Sequence, residues 1–507
     1  MSVLDNLIGA VSPGWKAARL RSRATIQAYE AVMPTRTHKA QRETRTANQL
    51  SQFGGRSLRE QARFLDMNHD VVIGALDKLE ERIIGAKGII VEPQPLTRAG
   101  VLDKALADDI RQHWAEWSVS PDVTGQYTRP VLERLLLRTW LRDGEVFARV
   151  FVANGAGLRR ENGVPFWIQA LEPDFVPDNL SAPEQGVVQG IRLDAWKRPV
   201  GYTLYRSLPS EGLAAGVYDD VDAAQMLHLK FTRRLHQVRG VSLLAGVIIR
   251  LADLKDYESS ERIAARVAAS LGMYVVKGDA FNYDDKADKT DEAPCELDIE
   301  PGMLFDGLRP GEKVGMVKSD RPNSNLELFR MGQLRAVAAG TRGSFSSIAR
   351  NYDGTYSAQR QELVEAQEGY GILQDTFIAQ VTRPLYRRWL DVAISTGMIR
   401  LPADIDRQTL FNAVYSGPVM PWIDPLKEAN AWRVMIRGGA ATEGDWVRAR
   451  GGAPAEVKRR RKAEIDENRA QALVFDTDPA NDKGAAHADN DNDDNHAADS
   501  GRGRGRA

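Results

Sequence analysis

Cysteine is nearly absent: Cys295 is the one thiol in 507 residues. That excludes a disulfide framework and any CxxC metal site, and it fits assembly in a reducing compartment. Long apolar runs are missing as well. The best stretch, Val241–Leu251, is cut by Arg250 and falls short of the roughly 18 to 20 residues that a membrane span needs. At the N-terminus a short apolar stretch precedes the charges, the wrong order for a secretory signal peptide. The expectation is a soluble chain, intracellular when made, with no membrane partner.

Catalytic motifs are missing too. No G-x-x-x-x-G-K-[ST] occurs, so no P-loop cradles nucleotide phosphates. There is no H-E-x-x-H and no G-x-S-x-G elbow. Asp489, Asp491 and Asp493 imitate the start of an EF-hand loop, but Asp494 stands at the loop's glycine position and Ser500 where a glutamate should close it. The seven histidines are scattered, and His228 and His236, flanking a strand end, read as structural or solvated. Asp143 and Glu145 could form a carboxylate pair, but at that spacing they read better as a turn residue and a strand-edge charge. No catalytic, cofactor-binding or metal site assembles, so the reading is not an enzyme and needs no cofactor.

What is present centres on residues 241–390. Val241–Ser270 carries apolar residues at Leu244, Val247, Ile248, Leu251, Leu254, Ile263 and Val267, one buried stripe of a helix. An extended excursion follows, with Met273–Val276 and Glu296–Phe305 read as strands and closed by the turns Pro301–Met303 and Arg309–Val314. A helix resumes at Leu326 and runs to about Arg350. A polar loop, Asn351–Tyr356, leads into a third helix from Ser357 to about Ile394. Between Glu327 and Asp353 there is no acid, but there are Arg330, Arg335, Arg342 and Arg350. Such one-sided charge suits a polyanion met without reading its sequence. Alternatively, these arginines pair with carboxylates of the next helix, such as Glu362 or Glu365.

The flanks are simpler. Residues 6–59 hold ten Lys/Arg against Glu30 and Glu43, read as a basic arm that reaches a neighbour or DNA, or as a partly disordered tail. From Ser57, helices at Leu58–Leu65, Asn68–Ile84, Ala105–Trp117 and Pro130–Leu141 alternate with strands near Gly85–Glu92, Glu145–Val152, Phe166–Leu171, Val188–Leu193, Val200–Tyr205 and Met226–Phe231. The turn Ala195–Pro199 predicts a hairpin, so this part is α+β with antiparallel pairing. Short helices are expected at Leu426–Ile436, Thr442–Arg448 and Val457–Ala472, the last carrying Lys458–Lys462. Residues 476–500 hold eight Asp and one Lys, disordered by composition.

These residues resemble a family. Helix, β-containing excursion ending PGMLFDGLRPGEKV, helix, then TYSAQRQELVEA looks like the lambda-type portal proteins of tailed bacteriophages. Further matches are LRDGEVFARV (Leu141–Val150), GIRLDAWKRPVGYTLY (Gly190–Tyr205), HQVRGVSLLA (His236–Ala245) and WIDPLKEANAWRVMIRGGAATEGD (Trp422–Asp445). Where such portals carry an apolar, proline-containing stretch, this chain reads TRGSFSSIARNYDGTYS.

The resemblance implies an α+β multi-domain portal. Its parts would be an N-terminal arm (1–56), a wing (57–240), a first stem helix (241–271) and a clip (272–325). A second stem helix (326–350), a tunnel loop (351–356), a long helix returning to the wing (357–425), a helical crown (426–475) and an acidic tail (476–507) complete it. It implies a dodecameric ring of the chain with itself at one capsid vertex of the virion, assembled in the host bacterial cytoplasm. Double-stranded DNA would pass through it without sequence specificity during packaging and ejection. Implied partners are the terminase large subunit, which must supply the ATP hydrolysis this chain lacks, head-tail connector or neck proteins, and capsid and scaffold proteins. Arg342, Arg350, Asn351, Tyr352, Asp353 and Gly354 are the candidates for the channel constriction, with Gly354 permitting a tight turn and Asp353 softening the attraction of Arg350. The rival readings are a virion-assembly nuclease or protease, and a DNA-binding scaffold protein that forms no ring.

Overall fold

The computed structural model describes residues 12–15, 17–18, 42–152, 163–208, 217–269, 273–276, 313–316, 325–419 and 425–475. Its helices are α1 (Ala47–Asn68), α2 (Asp70–Ile83), α3 (Lys104–Ser118), α4 (Arg129–Asp143), α5 (Ile248–Ala269), α6 (Leu326–Thr341), α7 (Phe345–Ala349), α8 (Tyr356–Phe377), α9 (Arg383–Ser395), α10 (Pro425–Arg437), α11 (Glu443–Ala449) and α12 (Pro454–Ala470). The strands are β1 (Ile90–Pro93), β2 (Glu145–Val152), β3 (Phe166–Leu171), β4 (Val187–Val188), β5 (Ile191–Leu193), β6 (Pro199–Tyr205), β7 (Tyr218–Asp222), β8 (Met226–Lys230), β9 (Met273–Val276), β10 (Lys313–Met316) and β11 (Ala413–Ser416). Two units emerge, one from residues 1–76, 138–151 and 168–341, the other from 77–137, 152–167 and 342–507.

In the first unit, β3-β2-β8 form one sheet and β4-β5-β6-β7 another. The β2–β8 pair and the whole four-stranded sheet are antiparallel, as the alternating sequence predicts. Phe147, Leu171, Ile191, Tyr202, Val221 and Met226 share one buried core. Three of the stretches that carry the family resemblance meet there. Gly144 takes φ 93° and packs backbone to backbone on Val241 and Gly240, leaving no space for a Cβ at either glycine. Beside that contact, Arg239 donates to Glu145 Oε1 at 2.6 Å and to the carbonyls of Gln189 and Val176.

Asp143 and Glu145 therefore differ from the turn and strand-edge charges expected. Both are buried, and β2 is the central strand of its sheet. Asp143 is held by Arg63 and Arg142, and Glu145 by Arg239, His228 and the Gly240 N–H. Their charges are matched internally, which a low-dielectric site requires.

Helix α1 also starts earlier than the arm over residues 1–56 allows. Thr46 and Gln49 form a capping box, each side chain bonding the other's backbone N–H. Asn48 then ties the first turn to Gln189 and Val238. Local polarity hid the first part of this helix, expected only over Leu58–Leu65, whose anchors lie about 140 and 190 residues away.

The helix read as Leu326–Arg350 is broken. Leu334, Val337, Ala338 and Thr341 bury one face of α6, and the chain turns at Arg342, φ 58°. Helices α5 and α6 pack closely, with Gly340 against Val247. Strand β9 pairs antiparallel with β10 at Lys313–Met316, whose first two residues are expected in the closing turn Arg309–Val314; Glu296–Phe305 lies outside the described residues.

In the second unit, β1 pairs antiparallel with β11, a strand too short to be read from its own four residues. Trp114, Trp117, Tyr386 and Trp389 form its aromatic core, with Trp114–Trp389 and Trp114–Trp117 centroids 5.0 and 4.7 Å apart. The long helix expected from Ser357 to Ile394 runs as α8 and α9, joined by a π-helical turn at Ile378–Thr382. Pro384 cannot donate a backbone bond and its ring displaces the carbonyl of the turn before it; a π turn absorbs both effects.

Among the described residues no helix is long and apolar enough to cross a membrane. No group of three or more His, Cys, Asp or Glu among them is placed to hold a metal ion.

Candidate functional site

The segment Arg342–Tyr356 belongs to the second unit and is braced from one side. Ser344 caps α7, its Oγ accepting from Ser347 N–H at 3.3 Å. The Ser344 N–H donates to Tyr370 Oη at 3.2 Å. Glu362, from α8, receives Ser344 Oγ–H at 2.6 Å, Ser346 N–H at 2.8 Å and the Ser346 hydroxyl. Partial burial pushes the Glu362 carboxyl up, but these serine bonds outweigh it and hold the pKa below the ordinary carboxylate value. Gly369 of α8 lies beside the Arg342 backbone, where an added Cβ would make an ordinary contact, 3.6 Å from Arg342 O.

The loop itself is built by local bonds. Arg350 takes the left-handed conformation, φ 52°, and ends α7 by donating its N–H to Ser346 O. Asn351 Oδ1 accepts from Asp353 N–H at 3.1 Å, an Asx turn. The Gln359 side-chain amide donates to Tyr352 O. Thr355 then caps α8 through Ala358 N–H. Tyr352 and Tyr356 are 58% and 57% exposed.

Two expectations change here. Gly354 does not take positive φ, and a Cβ at that position would meet only Gln359 at 3.4 Å, an ordinary contact. The left-handed turn is made by Arg350 instead, so the tight turn does not depend on Gly354. Nor do Arg342 and Arg350 pair with Glu362 or Glu365. Glu362 is occupied by the two serines, and both arginines are exposed with no ion pair among the described residues. Asp353 likewise makes no ion pair to Arg350 among them. Arg330, by contrast, pairs with Glu258 at 2.7 Å in the first unit.

The bracing residues Ser344, Ser346, Glu362 and Tyr370 escape sequence reading as a set. A serine directly before a short helical stretch, as Ser344 stands before Phe345–Ala349, is a visible cap signal. Nothing local couples it to a glutamate 18 residues on.

The sequence matches the model of "Phage portal protein, lambda family" over residues 33–374. It is 26% identical over 483 residues to the probable portal protein of Halomonas phage phiHAP-1, covering 89% of this chain and 90% of that one. Portal protein B of Escherichia phage lambda is 26% identical over 180 residues, 34% of each chain. A chain from the virion of a native gene transfer agent particle aligns with 85% of this chain and 99% of its own, with TM-score 0.42 and 14% identity. With its family match spanning most of its length, this chain belongs to the lambda family of phage portal proteins.

Proposed function

We propose that the chain assembles with itself into a ring at one vertex of a phage capsid and that double-stranded DNA passes through that ring. The family is structural rather than enzymatic, and packaging work falls to a separate terminase. In this reading α5 and α6 are the stem, β9 and β10 belong to the clip (272–325), residues 426–475 form the crown, and residues 342–356 approach the DNA. Terminase and then neck proteins dock on the clip; the virion is the site of action, and assembly takes place in the host cytoplasm.

The observation that carries the DNA contact is the pair of exposed arginines, Arg342 and Arg350, on a braced backbone without carboxylate partners among the described residues. A conduit must hold polyanion weakly, since a deep well at any position would stall movement. Two cations per subunit, repeated around a ring, give a diffuse attraction to phosphates that carries no sequence information. Arg350→Glu should form normal rings and package less DNA, with a defect that changes with salt as the attraction is screened. Full-length genomes packaged at the normal rate by that variant would remove the loop from DNA contact. Deleting 278–293, outside the described residues, should spare rings and weaken terminase binding; unchanged binding would place the docking surface elsewhere.

A further inference from the structure

Helix α1 carries two stripes. Ser51, Arg59, Ala62 and Leu65 are buried along one. Leu50, Phe53, Gly54 and Leu58 follow the three-and-four spacing of its neighbour without being buried, and Phe53 is 76% exposed. This second stripe lines a groove of about 480 Å³ with Phe231, Val241 and Ala245 from the chain after β8. Both walls belong to the first unit. Ligand sites commonly fall between about 300 and 1,000 Å³. The walls are joined in advance: Val238 N–H donates to Asn48 Oδ1 at 2.8 Å, and Arg234 Nη1 to Arg45 O at 3.0 Å. Gln237 holds the turn between, accepting from Arg233 N–H at 3.1 Å. A groove fixed in this way loses little conformational entropy when a guest enters.

The groove is apolar inside and cationic at its mouth, where Arg45, Arg233 and Arg234 stand. One carboxylate answers these three guanidinium groups: Glu43 accepts from Arg45 at 2.7 Å and feels the Arg234 charge. Arg233 is exposed, rests 5.9 Å from the centroid of the Phe231 ring, and makes no ion pair among the described residues. A surplus of cation beside apolar surface repels a basic guest, and an apolar floor offers a phosphate backbone no donors. The complementary guest has apolar side chains for the floor and carboxylates for the arginines. Gly54 keeps the floor deep. A Cβ there would meet only Leu58 Cδ1, at 4.0 Å, so no neighbour requires a glycine at this helical position.

We infer that this groove binds an acidic amphipathic peptide segment of a partner protein. Its apolar side chains seat against Leu50, Leu58 and Phe231, and its carboxylates meet Arg233 and Arg234. This inference does not depend on the channel reading above.

The probe is a fluorescein-labelled synthetic peptide of leucine and glutamate, its leucines at three-and-four spacing, titrated with the full-length protein. A scrambled peptide of equal composition is the control. The striped peptide should bind about tenfold more tightly than the scrambled one. Gly54→Leu fills the groove and favours the helix; it should cut that affinity about tenfold without lowering thermal stability. Arg233→Gln combined with Arg234→Gln should weaken binding and flatten its salt dependence. Equal binding of the two peptides, or of the striped peptide to Gly54→Leu and native protein, would overturn the assignment. Loss of the native oligomeric mass in a stable Gly54→Leu protein would give the groove to a second copy of this chain instead. Displacement of the probe by random-sequence duplex DNA would give it to nucleic acid.

Discussion

Arg239 donates its Nε–H to Glu145 Oε1 at 2.6 Å, and both side chains are almost fully buried. His228 completes the cluster, its Nε2 3.1 Å from Glu145 Oε2 and its ring stacked on Phe147 at 4.3 Å. A carboxylate only accepts, so Nε2 carries the proton. Burial pushes the His228 pKa down to about 4, against the pull of Glu145. Glu145 also feels burial, which raises its pKa, yet Arg239 and the bond from His228 outweigh it and bring the pKa to about 2.

The two depressed pKa values make the first unit acid-sensitive. Unfolded histidine takes up a proton near 6.5, the buried ring only near 4. Stability from His228 is therefore full above pH 6.5 and is lost as pH falls toward 4. Glu145 adds stability present above 4.5 and lost as pH falls toward 2. Chemical denaturation between pH 7 and 4 should show stability declining with acid, and His228→Gln should flatten that slope. An unchanged slope would separate the histidine from it.

Removing one partner alone exposes the cost of the other. Arg239→Met leaves Glu145 charged and buried, and should destabilise by about 3–5 kcal/mol. Urea unfolding of the variant measures this, and a loss under 1 kcal/mol would show that the site rehydrates.

Gly340 tests the packing of α5 on α6. A Cβ there would stand 2.5 Å from Val247 Cγ1, and Val247 is short and buried. Gly340→Val should destabilise by about 1–3 kcal/mol despite the better helix propensity of valine. Val247→Ala should recover part of that loss in the double variant. Additive effects would show that the two positions do not touch.

Leu251 of α5 and Val247, the residue just before that helix, are both buried. Leu251→Asp or Val247→Asp buries an unpaired charge at a cost of several kcal/mol, and rings should fail to form. Native-size rings from both variants, measured by mass, would reject α5 as a stem helix.

Glu362 holds the loop through Ser344 and Ser346. Glu362→Ala leaves those donors without their acceptor, a loss of about 1 kcal/mol. Hydrogen exchange should quicken in 344–350 and not in α9. Because the Glu362 pKa is lowered, its contribution is present above the ordinary carboxylate value and lost as pH falls below it. Equal exchange in both proteins would show that the brace is dispensable.

Much of this protein is written in its sequence. Apolar spacing determines α5, alternation determines β2, β6 and β8, and Ala195–Pro199 determines a hairpin, because each signal is local and repeats at the period of its element. The basic loop approach is legible in the same way, as a run of residues without an acid. The start of α1, the strand β11 and the break at Arg342 are set by distant partners: Gln189 for Asn48, β1 for β11, and one face of α6 that buries as far as Thr341. Only the tertiary structure turns Asp143 and Glu145 into buried counter-ions and gives Glu362 to serines rather than arginines. Charges in sequence carry no dielectric and no neighbours; folding supplies both, and these decide whether a carboxylate is surface, brace or core.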